Sequence, residues 1–148
     1  MASTHLSLHY HLIFATKNRE LWLAATWRSR FHEYLGGVVQ GLGASPLGGG
    51  GMADHVHLLV TLKATHCLAD FMRELKKTSS IWLQQEMKLP GFHWQEGYAT
   101  FTVSASACSA MKEYIAQQEK HHRTKSCREE LMDLLRKSGV AFEEKYFD

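Results

Sequence analysis

Alternating apolar and polar positions predict strands in three parts of the chain. The clearest lies at 54–63, where Val56, Leu58 and Val60 form one apolar face. Residues 6–17 and 94–103 alternate in the same way. This period-two pattern is typical of a strand that packs one face on a core. The glycine-rich segment 42–51 predicts a weaker strand, a tight connection or both, and it lacks the Lys-Ser/Thr pair that a phosphate-binding P-loop requires.

Apolar residues at helical spacing predict helices between and after these strands. The first is expected from a cap at Thr26 to about residue 42, and the second from Thr65 to just before Pro90. A third is expected over 107–123. Ser126 and Glu129 match a capping box, which predicts a short helix within the C-terminal segment 126–148.

The order of these elements predicts the fold. It reads strand, helix, weak strand, strand, helix, strand, helix, and a short link between the two middle strands requires antiparallel pairing. We therefore expect an α+β fold with an antiparallel sheet and helices packed on its faces, of the ferredoxin-like or RRM-like kind. A length of 148 residues suits a single domain over 1–148.

Composition narrows the functional classes only a little. Hydrophobic residues make up 45% and the net charge is +2, so the chain is expected to be globular without a strong electrostatic sign of a nucleic-acid partner. Apolar runs are too short for a bilayer, so we expect a soluble intracellular protein with no membrane association. The three cysteines are scattered and are interpreted as reduced packing residues. Ten histidines are the one unusual feature.

Two of these histidines form the first candidate site. His55 and His57 alternate around Val56, so both imidazoles lie on one face of the predicted strand, about 7 Å apart along it. Such a pair can hold one cation between its rings. From spacing alone, two partly exposed histidines are the commoner explanation, and His9 and His11 repeat the pattern on the first strand.

A tyrosine and an amide form the second candidate site. Tyr114 and Gln118 are four residues apart on the third predicted helix and share a face, whereas Gln117 is rotated away by about 100°. A phenol with a pKa near ~10 is a poor nucleophile at neutral pH unless a cation assists its deprotonation. The alternative is an ordinary amphipathic helix with a half-buried tyrosine.

Together these residues resemble a known group of DNA-cleaving enzymes. The strand from Asp54 to Val60 resembles the His-hydrophobic-His motif of HUH endonucleases, and Tyr114 with Gln118 resembles the nucleophile and third metal ligand of their single-tyrosine transposase branch. Residues 11–19, 94–98 and 114–123 also resemble that branch, especially the REP-associated tyrosine transposases. The resemblance covers nearly the whole chain in the expected order.

The resemblance implies a specific chemistry. His55, His57 and Gln118 would bind a divalent ion, Mg²⁺ or Mn²⁺, and Tyr114 would attack single-stranded DNA beside a hairpin to give a 5′-phosphotyrosine and a free 3′-hydroxyl. Insertion-sequence members act as homodimers, and in several the tyrosine helix serves the partner's metal site; the sequence leaves open which arrangement holds here. The expected location is the cytoplasm of a prokaryotic cell, at the nucleoid.

Other residues are candidates for supporting roles. Asp54 could orient a ligand histidine or shape the turn before the strand, His11 could lie close to the site, and Gln117 is the alternative to Gln118 as a ligand. The candidate DNA-contacting residues are basic or imidazole side chains that could equally belong to solvated surfaces: Lys17, Arg19, Arg73, Lys77, Lys112, Lys120, His121, His122 and Arg123.

Two other functions remain compatible with the sequence. A non-catalytic or domesticated protein could bind DNA hairpins with the same fold, although such a protein has no need for Tyr114. A replication or conjugation nickase of the wider HUH group is the other alternative, and the short chain without a helicase-like extension argues against it.

Overall fold

The computed structural model describes residues 3–122 and 125–143, except for the side chain of His121. Its strands are β1 (His9–Ala15), β2 (Ser45–Met52), β3 (His55–Thr61) and β4 (Ala99–Val103). They form an antiparallel sheet in the order β2-β3-β1-β4. The predicted α+β fold of the ferredoxin-like kind is therefore confirmed, including the antiparallel pairing of the two middle strands.

Helices cover both faces of this sheet. They are α1 (Arg28–Gly41), α2 (Leu68–Gln85), α3 (Cys108–Ala116), α4 (Gln118–His121) and α5 (Cys127–Lys137), with short 3-10 turns at Lys17–Arg19 and Ala105–Ala107. Helices α1 and α2 pack on one face, and α3 to α5 lie on the other. Within the described residues, no helix is long and apolar enough to cross a bilayer.

The apolar residues of the central strands β1 and β3 pack into separate clusters on the two faces of the sheet, as their alternating pattern predicts. Leu12 and Phe14 of β1 join Val56 and Leu58 of β3 in the main core beneath α1 and α2. Burying each such side chain stabilises the fold by about 1.5–3 kcal/mol. On the opposite face the apolar cluster is small, with Leu59, Val103 and Ile115 buried together. That face is therefore free to carry polar groups.

The glycines at 48–51 belong to strand β2, so segment 42–51 does contain a strand. A Cβ atom added to Gly50 would lie only 2.2 Å from the carbonyl oxygen of Ile115. Real side chains do not tolerate such a distance, so glycine here allows helix α3 to lie directly on the strand. The same contact anchors the helix that carries Tyr114.

Several boundaries differ from the sequence prediction. Helix α2 begins at Leu68 and not at the predicted Thr65, and β1 spans only His9–Ala15 of the predicted strand 6–17. Helix α1 begins after Trp27 with no side-chain cap, so the predicted cap at Thr26 is wrong. The strand expected over 94–103 is paired as β4 only over its last five residues, because Gly97 has a φ of +84° and Trp94 is held in an isolated bridge with Thr16.

The helix expected over 107–123 is interrupted at Gln117, whose φ of −103° and ψ of +29° end α3 and start α4. Its predicted end at Arg123 lies outside the described residues. By contrast, the capping box at the start of α5 is confirmed, because the Ser126 hydroxyl accepts a hydrogen bond from the backbone N–H of Glu129. In the predicted segment 126–148, residues 144–148 lie outside the described part.

Candidate functional site

His55 and His57 lie side by side on the face of β3 that is turned toward α3 to α5. Both are fully buried, and their ring centroids are 5.1 Å apart. Val56 points into the main core between them and fixes the strand. The structure therefore brings together the two imidazoles that the alternation placed on one face.

A neighbouring side chain lies within hydrogen-bond distance of the Nδ1 atom of each ring. Nδ1 of His55 is 2.7 Å from Oδ1 of Asp54, and Nδ1 of His57 is 2.7 Å from Nε2 of His11. A carboxylate can only accept, so Nδ1 of His55 carries a proton and Nε2 is the atom available to a ligand. Asp54 and His11 thus both lie in the positions expected of groups that orient ligand histidines.

The surroundings shift the pKa values of the two rings in opposite directions. Burial by itself lowers the pKa of His55, but the hydrogen bond with Asp54 and the nearby Cys127 raise it to about 10. Burial also lowers the pKa of His57, and there it outweighs the effect of Glu130. The surroundings of His55 therefore favour a positive charge, supplied by a proton or by a metal cation.

The interruption at Gln117 turns Gln118 into the site. The Gln118 side chain is buried, and its Oε1 lies 3.1 Å from Nε2 of His55. Gln117 is exposed, and its amide donates to Glu113 on the outer surface. The geometry thus places Gln118, and not Gln117, beside the histidines of the same chain.

Tyr114 lies on α3 with its ring half-buried beside His57, at a centroid distance of 6.3 Å. Its hydroxyl donates a hydrogen bond to the carboxylate of Glu130. Burial, and then this carboxylate, raise the pKa of Tyr114 above its usual value. The phenol is consequently protonated at neutral pH, and a nucleophilic phenoxide would require a nearby positive charge.

Glu130 is a site residue that the sequence analysis did not identify. Its side chain on α5 is buried, with Oε1 2.9 Å from Nε2 of His57 and Oε2 3.2 Å from the amide nitrogen of Gln118. Burial opposes its ionisation, but hydrogen bonds from His122 and His57 hold the pKa of Glu130 well below the usual range. The available signal was a carboxylate on the apolar stripe of α5, between Cys127 and Leu134.

His122 also faces this cluster. Its Nε2 lies 2.9 Å from Oε1 of Gln118 and 3.4 Å from Oε1 of Glu130. Single nitrogen or oxygen atoms from His55, His57, His122 and Glu130 all lie within 4.8 Å of one another. A set of imidazole and carboxylate donors at this spacing fits a divalent cation.

Most of the candidate DNA-contacting residues lie elsewhere. Arg73 and Lys77 are exposed on α2, behind the sheet, where Arg73 pairs with Asp70 at 3.0 Å. Lys17, Lys112 and Lys120 are exposed, and the last two lie on helices α3 and α4, which carry Tyr114 and Gln118. Arg19 is half-buried and donates to the Cys127 thiol. The side chain of His121 and all of Arg123 lie outside the described residues.

The second His-x-His motif does not form a separate site. His9 hydrogen-bonds to Thr61 at 2.8 Å, at the far end of the paired strands. His11 is instead drawn into contact with His57. Trp94 is buried in the main core, with its indole N–H bonded to Ser79, and is no part of this site.

Comparisons with known proteins agree with this arrangement. A family model described as "Transposase IS200 like" matches residues 4–118. Over 117 residues the chain is 29% identical to the ISDra2 transposase TnpA of Deinococcus radiodurans, and the alignment covers 75% of this chain and 84% of that protein.

Solved structures show the same likeness. A crystal structure described as a transposase of Deinococcus radiodurans aligns with a TM-score of 0.62 at 27% identity, over 78% of this chain and 94% of that one. A REP-associated tyrosine transposase, solved with a REP hairpin bound, aligns with a TM-score of 0.54 over 78% of this chain and 70% of that one. Its 16% identity makes that a likeness of fold alone.

Proposed function

The chain belongs to the IS200-like transposase family of DNA-cleaving enzymes, and on that premise we propose that it cleaves and rejoins single-stranded DNA with Tyr114 as the nucleophile. The observation that carries the proposal is the position of Tyr114 and Gln118 beside His55 and His57 of the same chain. A residue of each required kind, nucleophile and metal ligand, is thus present within one subunit.

His55, His57 and Gln118 are the proposed holders of a divalent ion, Mg²⁺ or Mn²⁺. Their donor atoms converge from β3 and from the start of α4, and Gln118 is fixed against Nε2 of His55. When bound, such an ion would supply Lewis-acid polarisation of a phosphate oxygen and positive charge beside a phenoxide. The Asp54 carboxylate beside His55 adds negative charge that favours a cation at this position.

In the proposed reaction, the hydroxyl oxygen of Tyr114 forms a bond to the scissile phosphorus while the bond from phosphorus to the 3′ oxygen breaks. Tyr114 loses one proton and the departing 3′ oxygen gains one. Because one phosphodiester bond replaces another, the step needs no external energy. The products are a 5′-phosphotyrosine and a free 3′-hydroxyl. Attack of a 3′-hydroxyl on a phosphotyrosine reverses the step and joins strands.

The proposed substrate is single-stranded DNA next to a hairpin. The support is the resemblance of the motifs and the shared fold with a REP-associated transposase that was solved with a REP hairpin. We also propose action on nucleoid DNA in a prokaryotic cytoplasm and assembly as a homodimer, as in insertion-sequence members. The intrachain contacts between Gln118 and His55 support a site assembled in cis, so a dimer would not need to exchange tyrosine helices.

The test is covalent capture. The purified protein is incubated with Mn²⁺ and labelled single strands from the flanks of its own gene, and the products are separated on a denaturing gel. A protein-linked DNA band is expected from the wild type and not from Tyr114→Phe. Tyr34→Phe, a tyrosine of α1 behind the sheet, is the matched control and should retain the band.

Chelation of the metal should abolish the same band. Tight hairpin binding without any adduct in the wild type would overturn the catalytic proposal and favour the binding-only alternative. Adduct formation by Tyr114→Phe would show that another residue is the nucleophile.

A further inference from the structure

Three imidazoles, not two, present their Nε2 atoms to the centre of the site. Nδ1 of His122 lies 2.5 Å from the backbone carbonyl oxygen of Lys125, and a carbonyl can only accept. Nδ1 of His122 therefore carries a proton, and Nε2, which faces Gln118 and Glu130, is the atom available to an ion once it gives up its own proton. His55 is held in the same way by the carboxylate of Asp54.

The distances between the donor atoms match those around a single ion. An octahedral ion with oxygen ligands at about 2.1 Å has neighbouring donors about 3 Å apart. Here Nε2 of His57 is 2.9 Å from Oε1 of Glu130, Nε2 of His122 is 2.9 Å from Oε1 of Gln118, and Nε2 of His55 is 3.1 Å from the same Gln118 oxygen. Two further separations, from Glu130 Oε1 to His122 and to His55, are 3.4 and 3.9 Å.

We propose that Glu130 and His122 are metal ligands in addition to His55, His57 and Gln118. The inference rests on the proposed function, because it assumes that a divalent ion binds at the two strand histidines. It changes the charge of the site: two imidazoles and an amide leave an ion with its full charge, whereas the Glu130 carboxylate neutralises part of it. Tighter binding of the ion is the expected consequence.

Glu130 also links the ion-binding group to the nucleophile. One oxygen faces His57, and the other accepts the hydrogen bond from the Tyr114 hydroxyl. Helix α5 is held in this position by its buried residues Cys127, Met132 and Leu135. Glu130 is therefore placed both to bind the ion and to keep the phenol beside it.

The experiment measures metal affinity without DNA or turnover. Mn²⁺ is titrated into the protein, and free Mn²⁺ is followed by its electron paramagnetic resonance signal. Glu130→Gln and His122→Ala should each weaken Mn²⁺ binding by at least about tenfold, since even loss of groups that only orient ligands costs that much. Glu129→Gln, an exposed neighbour on α5, and the exposed His93→Asn are matched controls that should bind like the wild type.

His57→Ala separates the two proposals. Loss of Mn²⁺ binding in His57→Ala, together with wild-type affinity in Glu130→Gln and His122→Ala, would overturn this inference and leave the proposed function intact. No Mn²⁺ binding by the wild type would instead overturn the metal site of the proposed function itself.

Folding of each variant is checked without metal by circular dichroism and thermal unfolding. If Glu130→Gln does not fold, Glu130→Asp serves in its place, because it keeps the carboxylate charge but shortens its reach. Weakened Mn²⁺ binding by a folded Glu130→Asp supports ligation, and unchanged binding contradicts it.

Discussion

Nε2 of His11 lies 2.7 Å from Nδ1 of His57, and both side chains are fully buried. Burial, and then the neighbouring His57, lower the pKa of His11 to about 3, so His11 is neutral. Nδ1 of His57 is thus engaged by His11, which leaves Nε2 of His57 directed at Glu130. A histidine of β1 thereby orients a proposed ligand on β3.

Removing the contact between His11 and His57 should lower the affinity for the metal ion while the protein still folds. In His11→Phe the ring volume is kept, but Nδ1 of His57 loses its partner, and we expect Mn²⁺ affinity to fall by about 10- to 100-fold. The measurement is the Mn²⁺ titration described above. His9→Asn, on the same strand but bonded to Thr61, should bind as the wild type does; equal affinities of wild type and His11→Phe would show that His11 does not orient the ligand.

Gly50→Ala should displace the tyrosine helix. The new Cβ would lie 2.2 Å from the Ile115 carbonyl oxygen. The shifts needed to remove such a clash typically lower the free energy of unfolding by about 1–3 kcal/mol. Urea denaturation measures the stability, and the adduct assay reports the position of Tyr114. We expect both to decrease.

Gly37→Ala is the matched control, because a Cβ atom added to Gly37 would meet no atom within 4 Å and the residue is inside α1. There alanine should raise stability by about 0.5–1 kcal/mol. Equal stabilities of Gly50→Ala and the wild type would contradict the close approach of α3 and β2.

His32 should make the fold sensitive to mild acid. Burial, and then the Arg28 charge, lower the pKa of His32 from its usual 6.5 to about 4. Between these values the unfolded chain binds a proton that the folded chain does not, so stability falls as the pH drops from 6.5 toward 4. At pH 5 this costs about 1–2 kcal/mol, allowing for partial exposure.

His32→Leu removes the titrating group, and Nε2 of His32 has no hydrogen-bond partner among the described residues to be lost. Urea unfolding at pH 7 and at pH 5 should therefore show a smaller loss of stability on acidification in the variant than in the wild type. Identical losses in the two proteins would mean that His32 does not contribute.

Mixing two inactive variants tests whether the site is assembled in cis. Gln118 contacts His55 of its own chain, so Tyr114→Phe and His57→Ala each destroy the site in which they occur. A mixture of the two proteins should form no covalent adduct in the gel assay. Recovery of adduct on mixing would show that one subunit supplies the tyrosine helix to the metal site of another.

Local patterns were sufficient for the sheet and for half of the site. Alternation around Val56 and Leu58 places His55 and His57 on the face opposite the main core, because a strand has only two faces. The capping box at Ser126 and Glu129 determines the start of α5 for an equally local reason: the bonded groups are three residues apart. Such features depend on neighbours along the chain, so they can be predicted from the sequence without knowledge of the fold.

The remaining features depend on contacts between distant segments. Glu130 meets His57 across 73 residues, and no periodicity relates the two positions. The turn at Gln117, which directs Gln118 inward, also reverses a pattern that locally favours one continuous helix. Burial against His55 and Glu130 outweighs that local preference, because leaving the polar groups of a closed site unpaired costs more than one interrupted helical turn.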